Sequence, residues 1–177
     1  MRNQKYQKLV DLIIFAMLGV IMFVSKYMTE ALPNIHLLGM LTMTYTIVYR
    51  KKALIPIYVF VFLIGLFNGF ALWWITYLYL WLVLWGVTML LPQNMSKKVA
   101  VPVYAIVCSL HGLCYGTLYA PAQAIMYGLN FKGMIAWIIA GLPWDALHAV
   151  GNFAVGLLIV PVATALRTFH KTAGHEK

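Results

Sequence analysis

From Leu72 to Leu91 the chain runs for twenty residues without one charged side chain. An α-helix rises about 1.5 Å per residue, so a run of this length matches the ~30 Å hydrocarbon core of a bilayer. The rest of the sequence agrees: 63% of the 177 residues are hydrophobic and 10% charged, against about 45–50% and about 25% in soluble domains. A soluble chain of this size has too little interior to hide so much apolar surface. Lipid is the predicted solvent for most of it.

Six runs have the length and apolarity of spans, at about 9–28, 35–49, 53–70, 72–91, 99–118 and 144–166. Polar turn residues such as Pro92, Gln93, Asn94 and Ser96 separate them. The stretch Ala120 to Leu142 is interrupted by Pro121, Gln123, Gly128, Asn130, Lys132 and Gly133. It reads as a long, partly helical outer loop folded back towards the membrane. The predicted fold is therefore an all-α membrane protein, a single bundle of six transmembrane helices over residues 1–177.

Charge sets the orientation. With both termini in the cytoplasm, eleven of the thirteen Lys and Arg fall inside, and only Lys26 and Lys132 fall outside, the asymmetry that topology imposes. A seventh span would move the C-terminal cluster Arg167, Lys171 and Lys177 outside. The net charge of +9 is thus explained by short clusters between apolar runs, such as Arg50-Lys51-Lys52 and Lys97-Lys98. No basic stripe for nucleic acid is present. Cys108 and Cys114 lie six residues apart in one apolar run and read as two small hydrophobes. The first apolar run carries no small-residue cleavage site and reads as a retained helix.

Enzyme signatures are missing. There is no H-E-x-x-H, no G-x-S-x-G, and the four carboxylates Asp11, Glu30, Asp145 and Glu176 are scattered. A metal site would require His36, His111 and His148 to converge from separate helices, and none is predicted. An ATP-binding loop is also lacking, so a transporter built on this chain would draw its energy from a partner.

Polar groups within lipid are expensive and mark function by default. Asp145, His148 and Asn152 are spaced i, i+3, i+7 and share one helical face, which must point into the bundle or a wet cavity. Asp145 follows Pro143 and suits either a helix start or a ligand. Asn34 and His36 at the first outer loop, Asn68 at the end of the third span and His111 in the fifth complete the polar set. Trp73, Tyr77, Tyr115, Tyr119 and Trp144 crowd the same half, either as an interfacial belt or as stacking walls for a ligand. These twelve residues are the candidate substrate-binding set.

A small six-span chain with a first outer loop reading Leu32-Pro33-Asn34-Ile35 and a last span opening Leu142-Pro143-Trp144-Asp145-Ala146-Leu147-His148-Ala149-Val150-Gly151-Asn152 resembles the substrate-binding (S) components of energy-coupling factor vitamin transporters. The resemblance implies a multi-pass subunit of a bacterial cell membrane that captures a vitamin at the outer face. It also implies docking onto a transmembrane T component driven by two ATPases. Within that family the likeness is greatest to cobalamin-specific S components, and pantothenate and queuosine-precursor transport are the alternatives, beside a stand-alone facilitator. The family's A-x-x-x-A docking face on the first helix corresponds here to Ala16 and Val20, with Gly19 offering close approach instead of the second alanine.

Overall fold

The computed structural model describes residues 4–31 and 35–172. Among these the chain is all-helical: α1 (Gln4–Met28), α2 (Leu38–Tyr49), a 3-10 turn over Arg50–Ala53, α3 (Leu54–Asn68), α4 (Leu72–Leu90), α5 (Lys97–Leu113), α6 (Tyr115–Tyr127), α7 (Phe131–Gly156) and α8 (Ile159–Thr172). Four segments are long and apolar enough to cross a membrane: Lys5–Met28, Leu72–Leu90, Phe131–Gly156 and the combined α5–α6 rod Lys97–Tyr127.

The segment expected as an outer loop, Ala120 to Leu142, is instead two helices and a tight turn. Gly128 at φ 64° closes α6 in the left-handed conformation open to glycine, and Asn130 opens α7 by accepting the Gly133 N–H on its side-chain oxygen at 2.9 Å. The residues that seemed to interrupt an apolar run are thus the stop of one helix and the start of the next. Pro143, expected at a helix start, lies inside α7. The last predicted span, 144–166, is divided at Leu157 and Leu158, where Pro161 leaves the Leu157 carbonyl without its helical donor and crowds it.

α2 is the central helix. Ten of its twelve residues are buried, and it packs against α4, α8, α5 and α7, so it presents no exposed face and no amphipathic stripe. Thr46 answers its polarity locally, its hydroxyl donating to the Thr42 carbonyl at 2.7 Å. At about 18 Å it is half as long as α1, about 38 Å. That shortfall leaves a hollow at one end of the bundle, which Ile35 and His36 reach.

Small residues set the helix spacing. α5 and α7 form the most extensive contact in the molecule. A Cβ on Gly112 would stand 2.9 Å from the His148 carbonyl oxygen, and one on Gly156 would stand 2.8 Å from the Ala105 Cα. Gly19 does the same for α1 and α3, where a Cβ would meet Val59 and, at 2.9 Å, the Pro56 carbonyl. The close approach expected of Gly19 towards a partner is therefore spent on α3, whereas Ala16 and Val20 remain exposed.

Gly156→Val should force α5 from α7 and lower stability by about 1–3 kcal/mol, the usual cost of overpacking, seen as a fall in Tm in detergent. Gly141 has nothing within 4 Å of a Cβ, so Gly141→Ala should leave Tm unchanged or raise it, by up to about 1 kcal/mol of helix propensity.

Candidate functional site

The hollow above α2 is a cavity of about 270 Å³. Its walls come from the end of α1 (Lys26) and the turn after it (Thr29, Glu30), the residues before α2 (Ile35, His36), the first residue of α2 (Leu38), α4 (Tyr77, Trp81), α6 (Tyr115) and α7 (His148). It lies at the end of the bundle away from Arg50, Lys52 and Arg167.

At its centre two imidazoles meet. His36 Nε2 and His148 Nε2 are 2.8 Å apart, with ring centroids at 4.7 Å. One ring must donate while the other accepts, and two doubly protonated rings would bring like charges together. The facing nitrogens therefore satisfy each other, and which ring donates can exchange. Among the described residues no three His, Cys, Asp or Glu side chains come together as a metal site.

Aromatic rings extend from the pair in both directions. Tyr115 lies 4.8 Å from His148 at a 37° tilt, then stacks towards Tyr119 at 6.3 Å, which stacks towards Trp137 at 6.1 Å. On the other side Trp81 stands edge-on to His36 at 6.2 Å, Tyr77 edge-on to Trp81 at 6.2 Å and Trp73 edge-on to Tyr77 at 5.6 Å. Tyr77 and Tyr115 thus wall the cavity, Tyr119 backs Tyr115, and Trp73 sits towards the rim.

The remaining candidates support this site or stand apart from it. Asp145 and Asn152 share the buried face of α7 with His148, yet neither lines the cavity. Both Asp145 carboxylate oxygens accept the Gly116 N–H, at 3.0 and 3.2 Å. The carboxylate therefore caps α6, at the positive end of that helix's dipole, and not the start of its own helix. Asn152 donates to the Cys108 carbonyl at 3.3 Å and wedges between α5 and Gly39 of α2. His111 is a buried core imidazole, its Nε2 3.2 Å from the Leu80 carbonyl, and its ring lies 5.9 Å from Trp81. It holds the far side of the Trp81 ring. Asn68 accepts from the Tyr27 hydroxyl at 2.9 Å, joining α1 to α3 at the surface. Trp144 points outward, 60% exposed. Asn34 lies outside the described residues.

Trp81 is the cavity residue that sequence reasoning passed over, along with Lys26, Thr29, Glu30, Ile35 and Leu38. Its signal was present: Tyr77 and Trp81 are four apart and so share one face of α4. Lys26 and Glu30, also four apart, bring a cation and a carboxylate to the same wall. Set against known proteins, the chain matches no family model, no curated protein and no solved structure.

Proposed function

We propose that this chain is the substrate-capturing membrane subunit of an importer of the energy-coupling factor kind, taking up a compact, flat vitamin-type molecule from the outside. The cavity carries the reading. It combines paired imidazoles with Tyr77, Trp81 and Tyr115, and a few polar groups among aromatic walls are what small-molecule sites are made of.

In this reading the chain crosses the membrane six times with both ends in the cytoplasm. α5–α6 forms one bent crossing and α7–α8 another, the short α2 crosses inside the bundle, and α3 crosses with Phe62 and Leu66 exposed on its outer face. The cavity then opens outward and the basic clusters face the cytoplasm, in keeping with the positive-inside bias. Beneath the cavity the bundle is filled by side chains such as Met43, Phe60 and Leu84, each at most 1% exposed. A cavity closed at one end suits capture and delivery to a partner better than passage through a stand-alone facilitator. Ala16 and Val20, exposed on α1, are the surface offered to a T component, and the ATPases would supply the energy.

The volume bears on the ligand. At about 270 Å³ the cavity is at the low end of the ~300–1,000 Å³ that holds drug-sized molecules. A cobalamin, with its corrin ring and nucleotide arm, is far larger. Paired imidazoles between aromatic rings suit a planar heterocycle that offers one donor and one acceptor along an edge, as a queuosine precursor does, better than acyclic pantothenate. The ligand edge would replace the bond between His36 and His148.

Mass spectrometry of small molecules extracted from protein purified out of its native membrane should find such a heterocycle, and tagged protein should bring down a T component with two ATPases. Protein that comes down alone and moves solute in liposomes without ATP would refute the importer reading.

His36→Ala and His148→Ala should each weaken equilibrium binding of the extracted molecule by roughly 5- to 150-fold, since an unpaired buried polar group costs about 1–3 kcal/mol. Asn94→Ala, in the loop before α5, should bind as the parent does.

A cysteine introduced at Lys132 should react with an impermeant reagent applied outside intact cells, and one at Lys98 should react only after the membrane is opened. Equal labelling of both from outside would rule out the six-pass orientation.

A further inference from the structure

At the opposite end of the bundle a second, much smaller cleft lies between the turn after α2, the end of α4, α5 and α8. Arg50, Arg167, Tyr104, Thr88, Gln93 and Leu91 contribute to it. Nothing in the transport reading uses it.

Its chemistry is one-sided. Arg50 donates one N–H, from Nη2, to the Met89 carbonyl at 2.8 Å, and its own carbonyl accepts from Trp85 Nε1 at 3.2 Å. These bonds tie it to α4 and leave most of the five guanidinium N–H groups unused. Arg167 faces the same cleft, and the one ion pair among the described residues is elsewhere, between Lys52 and Asp11 at 3.0 Å. Among the described residues, two arginines therefore share a cleft that no carboxylate lines. The Tyr104 hydroxyl lies within the electrostatic reach of both guanidinium groups. Tyr104 is 6% exposed and has no hydrogen-bond partner among the described residues, whereas the Thr88 hydroxyl is already committed to the Leu84 carbonyl at 2.7 Å. What remains is a cleft in which donors predominate, with the Gln93 amide beside them.

Arg50 also holds a backbone conformation that arginine disfavours, φ 54° and ψ −121°. It is the one non-glycine residue with positive φ among those described. A glycine would fit this turn without strain, so the turn geometry does not ask for arginine; the side chain does.

We propose that Arg50, Arg167 and Tyr104 form a binding site for the phosphate of an anionic membrane lipid. The cleft has about 10 Å³ of free space, room for about one water-sized atom. A ligand therefore seats a single oxygen between the arginines and keeps its bulk outside. A lipid phosphodiester meets that condition at the headgroup level and lays its chains along the exposed apolar surface beside the cleft, where Leu90 is 86% exposed. A free anion would be held by one oxygen alone.

The site can be tested on the full chain, purified in detergent, by native mass spectrometry with equimolar phosphatidylglycerol and phosphatidylcholine of identical acyl chains. The parent should retain phosphatidylglycerol preferentially. Arg167→Gln and Tyr104→Phe should each reduce that preference, by about fivefold for the arginine. Arg50→Gly removes the guanidinium and relieves the backbone together, so it should lose the preference with its Tm preserved. Lys98→Gln removes a charge from the exposed start of α5, outside the cleft, and should keep the preference. Equal retention of the two lipids by the parent, or a preference untouched by Arg167→Gln and Tyr104→Phe, would overturn the site and leave these charges with a topological role alone. Displacement of the lipid by millimolar inorganic phosphate would also overturn the lipid assignment, in favour of a free anion.

Discussion

The approach of α5 and α6 to α7 is the contact on which the other features depend. In lipid there is no hydrophobic drive to bring two apolar helices together, so association rests on close packing and on polar groups satisfied between helices. Gly112 and Gly156 remove the side chains that would hold the backbones apart, and Gly116 leaves room for Asp145. Asp145 and Asn152 then bond to α6 and α5 across the seam. With both fixed, His148, between them on the same face, has one position. Gly39 extends the arrangement to α2, since a Cβ there would meet Cys108 Sγ at 3.1 Å.

His148 acquires a partner through a different constraint, the shortness of α2. A central helix of full length would fill the bundle to its outer rim. Because α2 begins at Leu38, the preceding residues enter the bundle and carry His36 to within 2.8 Å of His148. The two rings come from positions 112 residues apart. An imidazole pair is well suited to an exchangeable ligand, because either ring can donate or accept and the pair satisfies itself when the cavity is empty. The rings around it, Trp81 and Tyr115, give flat walls with few competing polar groups.

The two ends of the molecule differ in kind. One end has the larger cavity, with aromatic rings, neutral imidazole chemistry and the pair Lys26 and Glu30 at the wall. The other collects Arg50, Lys51, Lys52, Lys97, Lys98 and Arg167, of which Arg50 and Arg167 line a cleft that admits a single atom. Positive charge on one side is a topological signal first. Seating two arginines around a buried phenol, one of them at the cost of an unfavourable backbone, goes beyond what topology requires.

The apolar helices of membrane-crossing length, the helical class and the polar face Asp145, His148 and Asn152 were legible in the sequence, because each depends on local quantities: run length, apolarity and the 3.6-residue period. Helix boundaries near Gly128 and Asn130 were misread because an interrupted apolar run looks alike whether the interruption is a loop or a two-helix turn. Only a cap bond, from the Gly133 N–H to Asn130, distinguishes them. The same limit applied to function within the polar face: spacing could show that three side chains share a stripe, but not that one enters a cavity while its neighbours cap α6 and brace α5. Nor could it show that Gly19 is used by α3 or that Trp81 completes the wall. Those outcomes depend on which helices touch and at what depth, and pairwise packing between residues far apart in the chain has no period for a sequence to display. The sequence by itself determined that this chain forms helices long and apolar enough to cross a membrane, with Asp145, His148 and Asn152 on one buried face; the tertiary structure alone decided which polar groups meet.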